Sequence, residues 1–356
     1  MANPLPLHER HVAAGATFEA VSDWELPVAY GAPADEYKRA RHDVGLVDRG
    51  HFGILELTGR DRATFLHAVV SNEVKALGPG QGCAATLLDV HGKVQVVLVV
   101  WVAADRIFVV TPPAMARKTA EALDHYLFSE KVVIRDVSGE TALLVLVGPK
   151  APETSERLMG ARPPATAWAH VEGKLGEIPL RLVSGGGETG EAEVWIAGPA
   201  AEAPKIWDAL VAAGARPLGL VAFESLRIEA GTPVFGHDVD ESVLLPEIPF
   251  ANLASETKGC YPGQEVVVRI RDRGHVNRVL RGLVLEGDQV APSGAEVIAD
   301  GAPVGRVTSA TWSFGLGRPI ALAFLRRQHA EPGSAVSVRL GERAVAANVS
   351  ALPFTR

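Results

Sequence analysis

Apolar and polar positions change period several times along this chain, and each change marks an element. In "HFGILELTG", Ile54, Glu56 and Thr58 alternate with Leu55 and Leu57, the two-residue period of a half-buried strand. "GRDRATFLHAVVSNEV" places Ala63, Leu66, Val69 and Val70 at helical spacing. "CAATLLDVHGKVQVVLVVWVAADRIFVVT" reads as two or three strands, with turns at His91–Gly92 and Ala104–Asp105. "PPAMARKTAEALDHYLF" then predicts a helix opened by prolines, with Met115, Ala122, Leu123, Tyr126 and Leu127 on its apolar side. Together these predict an α+β layer over residues 54–140.

Upstream, Asp35–His42 reads as a short polar helix with Asp35 as its N-cap. Downstream, "TALLVLVGPKAPETSERLM" is a strand followed by a helix after Pro149, and "SGGGETGEAEVWIAGP" is a glycine-rich loop entering a strand. "EAPKIWDALVAAGA" is an amphipathic helix, and Leu220–Glu229 is another, stopped by Gly231 and Pro233. From "VVVRIRDRGHVNRVLRGLVLEG" onward the pattern is short strands with turns at Gly287, Gly301, Gly315–Gly317 and Pro332–Gly333. It predicts a small antiparallel barrel or sandwich of roughly eighty residues.

A chain of 356 residues exceeds what one hydrophobic core usually serves, so two or three domains are expected. With 47% hydrophobic and 22% charged residues the composition is that of an ordinary globular protein. A net charge of −7 argues against nucleic-acid binding. Val94–Ala104, the most apolar run, is too short to span a bilayer, so no membrane role is expected. Cys83 and Cys260 make neither a disulfide framework nor a zinc pattern, and the eleven histidines show no HxH or HExxH spacing, so no metal is expected. A reducing cytoplasm is the expected compartment.

Four groups of residues carry candidate chemistry. Cys260 lies in "KGCYPGQE", two residues after Lys258, whose cation would favour the reactive thiolate; the alternative is a small residue filling space under a turn. Arg269, Arg271 and Arg273 would share one face of a regular strand and could hold an anionic tail, or simply form a solvated edge. Glu188, Glu191 and Glu193 follow the glycine run, where a carboxylate could accept N–H bonds from a pterin-like heterocycle or face water. Arg227 sits beside apolar residues on its helix and could pair with Glu224. "GGGETG" lacks the Gly-Lys-Ser/Thr ending of a phosphate loop.

The N-terminal stretch "LHERHVAAGATFEAVSDWELPVAYG", continuing to "VSNEV", resembles the glycine cleavage T-protein (aminomethyltransferase) family, as does "LGLVAFESLRIEAGTPVFGHDVDESVLLPE". "KGCYPGQEVVVRIRDRG" resembles the distinguishing motif of that superfamily's YgfZ-type folate-binding branch, associated with iron–sulfur protein maturation or repair. The resemblance implies a three-domain α+β ring around a central folate channel, with a C-terminal antiparallel β-barrel. Residues 1–53 with 141–257 would form the first domain, 54–140 the insertion, 258–274 the cysteine-motif connection and 275–356 the barrel. It implies tetrahydrofolate or a derivative as cofactor, and iron–sulfur client or assembly proteins as partners.

By the same resemblance Arg227 and Phe235 line the folate channel, Glu188 (with Glu191 as rival) holds the pterin, and Asn72 matches the family's Thr-Asn-Asp stretch. Cys260 is the functional thiol, with Lys258 as its partner. The family's acidic pair after a glycine turn is missing: "HGKVQVVLV" has no carboxylate between Lys93 and Val100. That argues against glycine cleavage while leaving the channel. The expected function is a tetrahydrofolate-binding protein supporting iron–sulfur proteins. The alternatives are a folate-dependent aminomethyl or methyl transferase, and a non-catalytic scaffold.

Overall fold

The structure, a computed structural model, describes residues 2–354. Strand Gly45–Asp48 pairs antiparallel with Thr141–Val147, Leu46 opposite Leu146, so the chain leaves one sheet at Asp48 and rejoins it at Thr141. That sheet has six strands, in the order His170–Leu175, Ile178–Ser184, Glu193–Pro199, Thr141–Val147, Gly45–Asp48 and Arg216–Pro217. Between the two visits a separate five-stranded antiparallel sheet forms, ordered Gln81–Leu88, Val94–Val102, Ile107–Thr111, Gly53–Thr58 and Val133–Asp136. A closed six-stranded antiparallel barrel, Arg278–Leu285 to Arg343–Ser350, completes the fold.

The inserted sheet is covered on both sides. Leu55, Leu57, Val96, Leu98, Val100 and Val109 pack on helices Arg62–Val69 and Ala116–Asp124 through Phe65, Leu66 and Leu123. Ile54, Trp101 and Val110 on the other face meet Leu143, Val145 and Trp195 of the first sheet. This explains the unbroken apolar run Val96–Val102, since a strand buried on both faces gains nothing from alternation. It also corrects the half-buried expectation for Gly53–Thr58: Glu56 is buried there, paired with Arg106 and Arg135.

Two further expectations change. The polar helix starts at Pro33, with Ala32 as N-cap and Asp35 inside the first turn, because proline suits a position whose N–H needs no helical partner. Gln264–Arg273 is a helix rather than a strand. Val267 is buried in the hydrophobic cluster beside the barrel, and that tertiary contact overrides the β-propensity of the valine run. On a helix the arginines spread: Arg269 and Arg273 share a side, and Arg271 points away and pairs with Asp272. Gly263 before it has φ +78, and a Cβ there would lie 2.4 Å from the Asp89 carbonyl, so glycine lets this helix dock on the 89–92 turn.

Helix Leu220–Glu229, bounded as the sequence predicts, binds the parts together. Arg227 is 1% exposed. Its Nε and Nη2 meet Glu224, Nη1 meets Asp238 at 2.8 Å and the Thr232 carbonyl at 3.1 Å, and Nη2 also meets Ser309 Oγ of the barrel at 2.8 Å. All five guanidinium N–H groups are thus used. Two residues on, Glu229 accepts from Tyr37, Arg41, Ser313 Oγ and the Gly315 N–H. Burial works to raise its pKa, but these donors and the Arg41 charge hold it below its ordinary value.

Replacing Arg227 with Met keeps the apolar volume and strands the buried Asp238 carboxylate. Urea unfolding should show a loss of about 3–5 kcal/mol, the cost of leaving one partner of a buried pair uncompensated. A loss under about 1 kcal/mol would mean that Arg227 is not the tie described.

Candidate functional site

Loop 185–193 links strands Ile178–Ser184 and Glu193–Pro199, and its three glutamates take three different positions. Glu193 turns inward: its Oε1 accepts from the Thr189 N–H at 2.8 Å and from Thr189 Oγ1 at 2.7 Å, which holds the loop closed. Burial, then the neighbouring Glu188 charge, push its carboxyl up to about 7. Glu191 turns to helix Pro33–His42, where it meets Arg41. Glu188 keeps part of its carboxylate in solvent and receives Arg49 Nη2 at 3.0 Å on both oxygens.

Arg49 is positioned by its place directly after strand Gly45–Asp48, and its guanidinium lies between two rings, 4.7 Å from Phe52 and 4.4 Å from Phe223. Its Nε is buried and lacks an acceptor. Phe52 and Trp168 each meet Trp195 edge-on, at 6.0 and 5.5 Å, so the corner is walled by aromatic rings. Trp168 sits at φ +64, a backbone conformation costly for any residue with a Cβ. Its ring occupies the space over Gly186, where a Cβ would come within 2.3 Å.

These contacts give the corner a definite chemistry. A part-exposed carboxylate and an acceptor-lacking guanidinium Nε stand side by side, with flat apolar walls around them. That set can take a planar heterocycle presenting both N–H donors and an acceptor. Arg49, Trp168 and Trp195 were not among the residues singled out from the sequence. The partner of Arg49 lies 139 positions away, and no local pattern announces a left-handed tryptophan. Glu193 was noted there but not chosen.

Of the other expected site residues, Arg227 lies near enough to Glu188 to feel its charge, while Phe235, Asn72 and Lys258 make their contacts in other parts of the fold. Arg227 is the internal tie described above, and its N–H groups are all engaged. Phe235 packs against the cluster of Ile228, Val239 and Leu280 that joins the first domain to the barrel. Asn72 donates to the Ala84 carbonyl at 2.8 Å and to the Asn252 carbonyl at 3.1 Å, stitching the insertion to the turn that carries Asn252.

Lys258 does not face the thiol two residues on. Its ammonium donates to the His67 and Val70 carbonyls at the C-terminal end of helix Arg62–Val69, where the helix dipole favours a cation. It also lies 5.0 Å above the Tyr261 ring. Burial lowers its pKa to about 8, with Glu73 and then the neighbouring Cys83 opposing, so the thiol it senses is Cys83. Burial in turn pushes Cys83 up to about 12. Cys260 is exposed.

On strand Val94–Val102 the face away from the helices carries Gln95, Val97, Val99 and Trp101, with no ionisable group. Among the described residues no group of three or more His, Cys, Asp or Glu could hold a metal ion, and no helix is long and apolar enough to cross a membrane.

Residues 7–251 match the family model of the GCVT N-terminal domain, and residues 278–355 that of the glycine cleavage T-protein C-terminal barrel domain. The chain is 32% identical to an aminomethyltransferase of Picosynechococcus sp., covering 99% of this chain and 97% of that one. An aminomethyltransferase of Rubrobacter xylanophilus is 35% identical over 99% of this chain and 94% of its own. The crystal structure of glycine cleavage system aminomethyltransferase T from Bartonella henselae superposes with a TM-score of 0.90, covering 100% of this chain and 98% of that one at 24% identity, a likeness of fold. The narrower YgfZ-type resemblance rests on Lys258–Glu265 and is not carried by these relatives. The chain belongs to the glycine cleavage T-protein family, whose aminomethyltransferases use tetrahydrofolate.

Proposed function

We propose that this protein is a folate-dependent one-carbon transferase that holds the pterin end of tetrahydrofolate at the corner of Glu188 and Arg49. The observation that carries the reading is the pairing of a part-exposed carboxylate with a buried guanidinium Nε that lacks an acceptor. An aminopyrimidinone ring has the complementary groups: adjacent N–H donors for Glu188 and a carbonyl for Arg49. Family membership and the transferase names of the relatives support the same reading.

Bound tetrahydrofolate supplies ring and linker nitrogens that carry a one-carbon unit. Glu188 orients the pterin through charge-assisted hydrogen bonds, which are stronger than neutral ones. Phe52, Trp168 and Trp195 exclude water from the faces of the ring. Glu193, raised to about 7 by burial and by Glu188, carries its proton below neutrality and so relieves charge repulsion behind the site. The apolar face of Val94–Val102 gives no carboxylate to stabilise positive charge developing on nitrogen, so the reading covers one-carbon transfer without specifying the aminomethyl group.

Calorimetric titration with tetrahydrofolate should show saturable binding, weakened about tenfold to a hundredfold by Glu188→Gln, the loss of one hydrogen-bonded charge. Equal affinity in a folded variant would sink the assignment of Glu188.

Glu193 adds a pH signature. Its folded pKa of about 7 lies above the ordinary 4.5, so between these values the native state holds a proton that the unfolded chain has lost. Stability should therefore fall as pH rises from about 4.5 to 7 and level off above, and Glu193→Gln should flatten that slope. Denaturant midpoints at pH 5, 6, 7 and 8 decide it.

If folate binds but no one-carbon transfer to amine or thiol acceptors is detected, the supporting role toward iron–sulfur proteins takes the transferase's place. Its foothold is the exposed Cys260 thiol. Under that reading Cys260→Ser leaves folding and folate affinity intact and lowers the activity of an iron–sulfur enzyme in cells. A large stability loss instead would return Cys260 to a packing role.

A further inference from the structure

A second polar cleft, of about 500 Å³, lies where residues 237–243 of the first domain meet the outside of the barrel. Three arginines line it. In the barrel's register Arg278 stands directly opposite Arg326, and Arg306 directly opposite Phe324, two residues from Arg326. Strand alternation puts these four side chains on one face. Like charges directly opposite one another destabilise a strand pair, so this placement calls for a compensating anion.

Only part of that compensation comes from the protein. Arg278 meets Glu247 at 3.1 Å and lies 4.8 Å from the Phe324 ring, which fixes it. Asp240 is turned to the Ser242 N–H at 2.8 Å, and Asp238 is taken by Arg227 and Thr308. Glu296, opposite Arg306 in the register, pairs with Arg339 at 3.3 Å instead. Among the described residues, no carboxylate lies within 4.0 Å of Arg306 or Arg326.

We infer that this cleft is a binding site for a phosphate monoester. Three guanidiniums match a group with three terminal oxygens better than a two-oxygen carboxylate, and Arg306 and Arg326 have N–H groups to give. His237 and Ser293 add polar atoms at the rim. The volume exceeds that of one phosphate and lies in the range of small-molecule sites, so an ester fits better than the free ion. The inference stands on the barrel residues and is independent of folate.

The test is calorimetric titration of the full chain at fixed ionic strength with inorganic phosphate, adenosine monophosphate, glutarate and chloride. Saturable one-to-one binding of adenosine monophosphate is expected, tighter than inorganic phosphate, with glutarate and chloride weaker than both. The double substitution Arg306→Gln with Arg326→Gln removes two exposed cations that hold no carboxylate, so folding and the tetrahydrofolate titration should be unchanged. Phosphate-ester affinity should fall at least about tenfold, the loss of one charge-assisted hydrogen bond or more. Equal affinity for phosphate and its ester would make free phosphate the ligand of the same site. Glutarate binding as tightly as the ester, no binding above the chloride control, or unchanged affinity in the double variant would each overturn the inference.

Discussion

The fold turns on one buried cation. Arg227 sits in the last turn of helix Leu220–Glu229 and joins Glu224 on its own helix, Asp238 and Thr232 on the following turn, and Ser309 on the barrel. Burial opposes its charge, but Glu224 and then Asp238 more than offset that cost. A guanidinium suits such a junction because its N–H groups leave in fixed, planar directions. An ammonium could not reach as many partners with the same geometry. The price of using it is that each partner depends on all the others, so the junction tolerates loss of none.

This commitment shapes the candidate site. With Arg227 used up inside the fold, and Arg41 held by Glu191 and Glu229, the cation left beside a part-exposed carboxylate is Arg49. Its two flanking rings replace the hydrogen bonds that the other arginines make, and its Nε stays without an acceptor. Glu193 anchors the loop from behind and rises toward neutrality, which limits the negative charge around Glu188. Binding groups and structural groups are thus the same residue types, separated only by whether their partners are already inside the fold.

Much of the fold was legible in the sequence for definite reasons. The end of helix Leu220–Glu229 is marked by Gly231 and Pro233, and the barrel's turns are marked by glycines. Helix Gln264–Arg273 was not legible, because its valines favour a strand until Val267 finds the hydrophobic cluster beside the barrel. The site was harder. The glycine-rich loop was visible, yet which of its glutamates stays outside depends on Arg41 and Arg49, both far away in sequence. Lys258 shows the same limit: its spacing from Cys260 suggested a partner, while its ammonium is drawn to the end of a helix nearly two hundred residues earlier, with His67 191 positions away.

The apolar inner face of Val94–Val102 follows from the same accounting of charges. A carboxylate at Val97 or Val99 would lie against the Trp101–Trp195 contact and the clusters that close the insertion onto its neighbours. There it would need a cation to offset its desolvation. Arg41, Arg49 and Arg227 of the first domain already hold carboxylates, so none of these three is left to supply it. Valine and tryptophan resolve the conflict by packing instead. The ionisable groups then gather at loop 185–193, outside that packed interface, where Glu188 keeps contact with solvent. The strand that faces the interior thus carries no ionisable group on its inner face, and the carboxylate open to solvent lies at the loop instead.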